Sequence, residues 1–129
     1  MEISSAVVKH NYDEDDITFD FHFTFKYGCL KSVVVLTEPY INSYEKWTKM
    51  SDAIKNNEKY ELGFYCGNGQ GDMECNGESV LFTAKPSGAG GDVSVSAVVS
   101  LAECKQELVE NLEKLINHEY AQTYWKTKK

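Results

Sequence analysis

Arginine is absent from this chain. The planar guanidinium fork that grips phosphate or carboxylate through two parallel hydrogen bonds is therefore unavailable, and lysine is no equivalent for it. Histidine is scarce, with three widely separated residues, His10, His22 and His118. No segment shows phosphate-loop or metal-ligand spacing, so no catalytic residue, cofactor site or metal site is assigned and no enzyme is expected. Also missing is an unbroken apolar run of about 18 residues, the length that crosses a bilayer. The N-terminus, M-E-I-S-S-A-V-V-K-H, has no basic region followed by an apolar stretch, so it does not read as a signal peptide. A soluble, intracellular (cytoplasmic) protein without a membrane partner is expected. Cys29, Cys66, Cys75 and Cys104 fit neither a zinc knuckle nor a dense disulfide framework, which makes reduced thiols the default.

What is present is an acidic, foldable chain. Thirteen lysines face 20 acidic side chains, for a formal net charge of −7. Setting aside Lys126, Lys128 and Lys129 of the basic tail at 126–129 leaves ten lysines against those 20 acids. A polyanion is repelled by such a surface, so nucleic acid is disfavoured as a ligand. The tail reads as a solvated terminus whose cations suit the negative end of a preceding helix. With 129 residues, 42% hydrophobic and 26% charged, residues 1–129 suit a single domain with one core.

Periodicity supplies the elements. Ile17, Phe19, Phe21, Phe23, Phe25 and Tyr27 alternate with polar residues, the pattern of a strand with one buried face. Ala6 and Val8 suggest an earlier strand, Asn11 to Asp16 a connection, and the β-branched run Ser32 to Thr37 a third strand. After Pro39, Tyr44, Trp47, Met50 and Ile54 recur at helical spacing, with Asn42 or Ser43 as cap and an end near Asn56 and Asn57. Tyr60, Leu62, Phe64 and Cys66 alternate again, and Asn68 to Gly71 (N-G-Q-G) reads as a connection before a short strand around Met73 to Cys75. The turn Asn76-Gly77 and strands over Ser79 to Lys85 and Asp92 to Val99 follow. Ser100-Leu101-Ala102-Glu103 fits a capping box, ahead of the helical stripe Leu101, Cys104, Leu108, Leu112, Leu115 and Ile116. The expected fold class is α+β, in the order β-β-β-α-β-β-β-β-α, with a mostly antiparallel sheet and helices packed on one face.

Residues 59 to 120, four strands and then a long helix, resemble in element order the repeating unit of the PC4/Whirly single-stranded DNA-binding folds. That resemblance implies single-stranded nucleic-acid binding on a sheet surface as an alternative function.

Each conspicuous segment has a plain structural reading beside a functional one. Pro86 to Gly91 (P-S-G-A-G-G) lacks a G-K-[ST] ending and precedes a strand, so it reads as a connection and not a phosphate cradle. His22 sits between Asp20 and Thr24 on the polar face of the Phe strand, where two-residue separation is too long for a direct acid–base pair. Cys66 and Cys75 on inward faces read as free core thiols. The candidate partner-binding residues are the acidic run Asp13, Glu14, Asp15 and Asp16, which can steer a basic protein, and Tyr120, Tyr124 and Trp125, which can supply rigid contact area. The expected function is a non-enzymatic acidic protein-binding module, with inhibitor and immunity proteins as precedents. The partner is another protein, basic in character, and homo-oligomerisation stays open. A carrier of small apolar ligands, with a cavity between the Phe strand and the helices, is the third class.

Overall fold

The computed structural model describes residues 1–9, 18–66, 69–85 and 95–127. Asp13 to Asp16, Asn68, Pro86 to Gly91, Lys128 and Lys129 lie outside the described residues.

Alternation builds seven strands among the described residues: β1 (Glu2–Lys9), β2 (Phe19–Tyr27), β3 (Leu30–Thr37), β4 (Lys59–Cys66), β5 (Gly69–Asn76), β6 (Ser79–Lys85) and β7 (Val95–Ser100). They form one antiparallel sheet in sequence order, β1 to β7. Among the described residues three helices accompany it, α1 (Tyr44–Asn56), α2 (Leu101–Ile116) and α3 (Glu119–Thr127), with a short 3-10 turn at Pro39–Ile41. The α+β class, the strand and helix order and the packing of the helices on one sheet face match the expectation.

The sheet is continuous but far from flat. Phe23 and Phe25 of β2 meet Phe82 of β6 with ring centroids 5.3 and 5.1 Å apart. Adjacent strands are spaced about 4.8 Å, so strands four places apart in a flat sheet would lie roughly 19 Å from one another. The sheet must therefore curl, and the weak point is visible in the register: β3 and β4 are paired only at Thr37 and Tyr65. The inward rows of both halves, with Phe19, Phe21, Val34, Leu36, Met73 and Val80 among them, share one core with Trp47, Leu108 and Leu112 from the helices. Helix α2 touches both edge strands, β1 and β7.

Local rules account for most boundaries. Ser43 caps α1 by accepting from the Lys46 amide at 3.2 Å, and Asn57 ends it in the left-handed region at φ 56°. Trp47 donates its indole N–H to the Pro39 carbonyl at 2.8 Å, tying α1 to the turn before it. Four expectations need correction. Tyr27 does not continue the buried row: it is 68% exposed, because the alternation ends at Phe25 where the hairpin turns. Gly69 to Gly71 is strand, not connection; a Cβ at Gly71 would stand 2.5 Å from both Phe64 Cε2 and Thr83 O, so glycine is there for close packing. Ser100 holds the N-cap position of α2 but its side chain makes no capping bond. Ser100 is still paired with Ser79 as the last residue of β7, and the Leu101 amide donates to the Glu78 carbonyl at 3.0 Å. The C-terminal helix is two helices, broken at Asn117 and His118. Cys66 and Cys75 are buried free thiols, as expected, lying opposite Gly69 and Tyr60 at opposite ends of the β4–β5 hairpin.

Candidate interaction surface

The pleat that sends Leu62, Phe64, Met73 and Cys75 into the core sends their sequence neighbours to the other face. None of the outward residues of β1 to β6 is buried, and neither are Ser96, Val98 and Ser100 of β7. Register then assembles rows across the outer face. Glu61 of β4 stands directly opposite Glu74 of β5, Glu74 opposite Leu81 of β6, and Leu81 opposite Val98 of β7. Asp72 occupies the next outward position beside Glu74, between Gly63 and Thr83. Tyr65, 49% exposed, lies opposite Gln70 and next to Thr37 at the joint between the two halves. Val98 is 57% exposed.

Directly opposed residues of an antiparallel pair bring their Cβ atoms to about 5 Å, and like charges there are destabilising. Glu61, Asp72 and Glu74 thus concentrate negative charge beside exposed apolar side chains. Among the described residues no group of three or more His, Cys, Asp or Glu side chains is arranged to hold a metal ion. His22, expected on the polar face, is there, opposite Ala6 and Val35 and partly exposed.

The C-terminal aromatics sit elsewhere. All three are partly buried against the core. Trp125 donates its indole N–H to the carbonyls of Tyr40 (2.8 Å) and Asn42 (2.9 Å) and meets the Tyr44 ring edge-on at 5.5 Å. Tyr124 packs on Tyr40 at 4.6 Å. Tyr120, about one turn earlier, contacts Phe19 and His118, and the Lys9 ammonium lies 4.7 Å from its ring centre. Tyr124 and Trp125 therefore come together around the 3-10 turn, and Phe19, whose ring centre lies 5.1 Å from that of Tyr40 and 6.1 Å from that of Tyr120, links Tyr120 to them. Asp13 to Asp16 cannot be placed relative to either, lying outside the described residues.

His118 closes the break between α2 and α3. Its Nδ1 accepts from the Tyr120 amide at 3.2 Å and its carbonyl accepts from the Gln122 amide at 2.9 Å, so it is the N-cap of α3. Burial pushes the imidazole below the usual histidine range; the Glu119 carboxylate opposes this and the Lys9 ammonium reinforces it. Beside it, an open cleft of about 390 Å³ is lined by Ser5, Ala6, Val7, Phe21, Lys114, Asn117 and His118. It is not the enclosed apolar cavity that a carrier of apolar ligands calls for.

Glu61, Asp72, Glu74 and Val98 were not among the sequence-derived candidates. Their outward placement was available from the alternation of β4, but which carboxylates face each other depends on the β4–β5 register, and that is hidden when Gly69 to Gly71 is taken for a loop.

The chain belongs to a family of unknown function, DUF5766, which matches residues 33–110, more than half of its length. The match runs from within β3 through α1 and β4 to β7 into α2. No curated protein and no solved structure matches the chain.

Proposed function

We propose that this protein is a non-enzymatic binding module whose outer sheet face receives a basic protein. The observation that carries the reading is the directly opposed pair Glu61 and Glu74, with Asp72 beside them. Side by side on neighbouring strands, the two like charges oppose each other in the free protein. A lysine or arginine of a partner set between them turns repulsion into attraction, so the cost in the free state becomes specificity in the complex. Tyr65, Leu81 and Val98 on the same face supply the apolar contact area that charge alone does not provide. A net charge of −7 steers a basic partner toward the chain at long range. Among the described residues no helix is long and apolar enough to cross a membrane.

The test is an affinity pull-down from the native cell with the wild type and the double variant Glu61→Gln/Glu74→Gln. A basic protein recovered in stoichiometric amount by the wild type and depleted with the variant supports the reading. Equal recovery by both removes the outer face from the account.

A further inference from the structure

Among the described residues β1 and β7 are the two edges of the sheet, and the open cleft runs beside β1. Asn111 Nδ2 donates to the Ile3 carbonyl at 3.3 Å, so that carbonyl points away from β2 and toward α2. In an antiparallel strand the N–H and C=O of one residue point to the same side, and the side alternates from residue to residue. Ile3, Ser5 and Val7 therefore turn their main-chain groups to the open edge, while Ser4, Ala6 and Val8 turn theirs to β2. The cleft flanks that edge at Ser5 to Val7 and ends at Lys114, Asn117 and His118. Its floor includes Phe21, the direct cross-strand neighbour of Val7.

We propose that this cleft accepts an extended peptide segment of another protein as an added strand on β1. The peptide's main chain pairs with the outward groups of Ser5 and Val7, an apolar side chain sits over Val7 and Phe21, and a carboxylate meets the Lys114 ammonium. Strand addition of this kind takes its affinity from main-chain bonds and its selectivity from alternate side chains in adjoining pockets. An exposed edge with room beside it is the element it requires. Charge selects the occupant: Lys114 is exposed at the cleft, so an otherwise neutral peptide with one carboxylate at that end is held at short range, whereas a second copy of a chain carrying −7 is repelled. The inference stands apart from the outer-face reading, because it uses the edge and inner side of β1, and the two can fail separately.

Nitrogen-15 NMR titration of the full chain with a synthetic pentapeptide of alternating valine and threonine, carrying a free C-terminal carboxylate, tests it. Saturable shifts are expected at the amides of Ser5 to Val7, Lys114, Asn117 and His118. N-methylation of the peptide's central amide leaves the protein untouched and should weaken binding by roughly tenfold. Val7→Pro removes an outward N–H but no bond to β2, and should act in the same direction. Amidation of the peptide terminus, or Lys114→Gln, should weaken binding by about threefold. The proposal is overturned if those amides do not shift, if the N-methylated peptide binds as tightly as its parent, or if isovalerate alone binds as tightly as the peptide.

Discussion

Ser5 of β1 and Asn111 of α2, separated by 106 positions in the chain, share a hydrogen bond of 2.7 Å in which the serine hydroxyl donates to the amide oxygen. The Asn111 amide nitrogen donates to the Ile3 carbonyl at 3.3 Å and to the Glu107 carbonyl at 2.8 Å. A buried polar side chain is thus engaged through both of its polar atoms, and it latches the helix to the edge strand. Asn111→Ala should cost about 1–3 kcal/mol, because it leaves the Ser5 hydroxyl and the Ile3 carbonyl unpaired in a poorly hydrated place. Urea unfolding measures this directly. An unchanged midpoint would mean that the latch contributes nothing to stability.

Trp125 joins the last helix to the 3-10 turn through two carbonyls and the Tyr44 ring. Trp125→Ala should lower stability by about 2–3 kcal/mol, below the usual range for a core tryptophan because the side chain is only partly buried. Trp125→Phe keeps ring packing and loses the indole donor, so it should fall between the two. Thermal unfolding of both variants checks the order. A wild-type melting temperature for Trp125→Ala would return this residue to the list of free contact residues.

His118 makes stability depend on pH in a defined direction. Its folded-state affinity for a proton is lowered, chiefly by burial, and its Nδ1 lone pair is occupied by the Tyr120 amide. Protonation would break the cap and place a cation at the positive end of α3 beside Lys9. The histidine therefore contributes its stability above the unfolded value of about 6.5, and that contribution falls away as pH drops below it through the lowered folded value. His118→Asn retains a capping oxygen but does not titrate, so the wild type should lose stability relative to the variant as pH falls below about 6.5. Melting curves from pH 8 to pH 5 on both proteins are the measurement. Parallel curves across that range would contradict the assignment.

Local pattern made much of the fold legible. Phe19 to Phe25 could hardly be anything but a one-faced strand, and the stripe from Leu101 to Ile116 had no competing period. Ser43 could be identified as a cap because capping is a contact between residues three apart. The curl that sets Phe82 against Phe25 was not legible, since it depends on β3 and β4 parting after a single pair, a non-local event without a sequence signature. Gly71 misled for a specific reason: glycine usually marks a turn, but here it makes room for the Phe64 ring. The capping box at Ser100 was overridden because the same residue is needed to finish β7. For the interaction surface, the sequence pointed to acidic character without locating it. Glu61 and Glu74 are 13 residues apart, and only the register of the hairpin puts them face to face.

The central claim is that the outer face of the sheet, through Glu61 and Glu74, receives a basic protein. Its most direct test is the association rate of the captured partner, measured by stopped flow across ionic strength for the wild type and for Glu61→Gln/Glu74→Gln. Steering by these carboxylates predicts that the wild-type rate falls steeply as salt rises, that the variant is roughly tenfold slower at low salt, and that the two rates converge at high salt. A variant that associates at the wild-type rate in low salt would contradict the account.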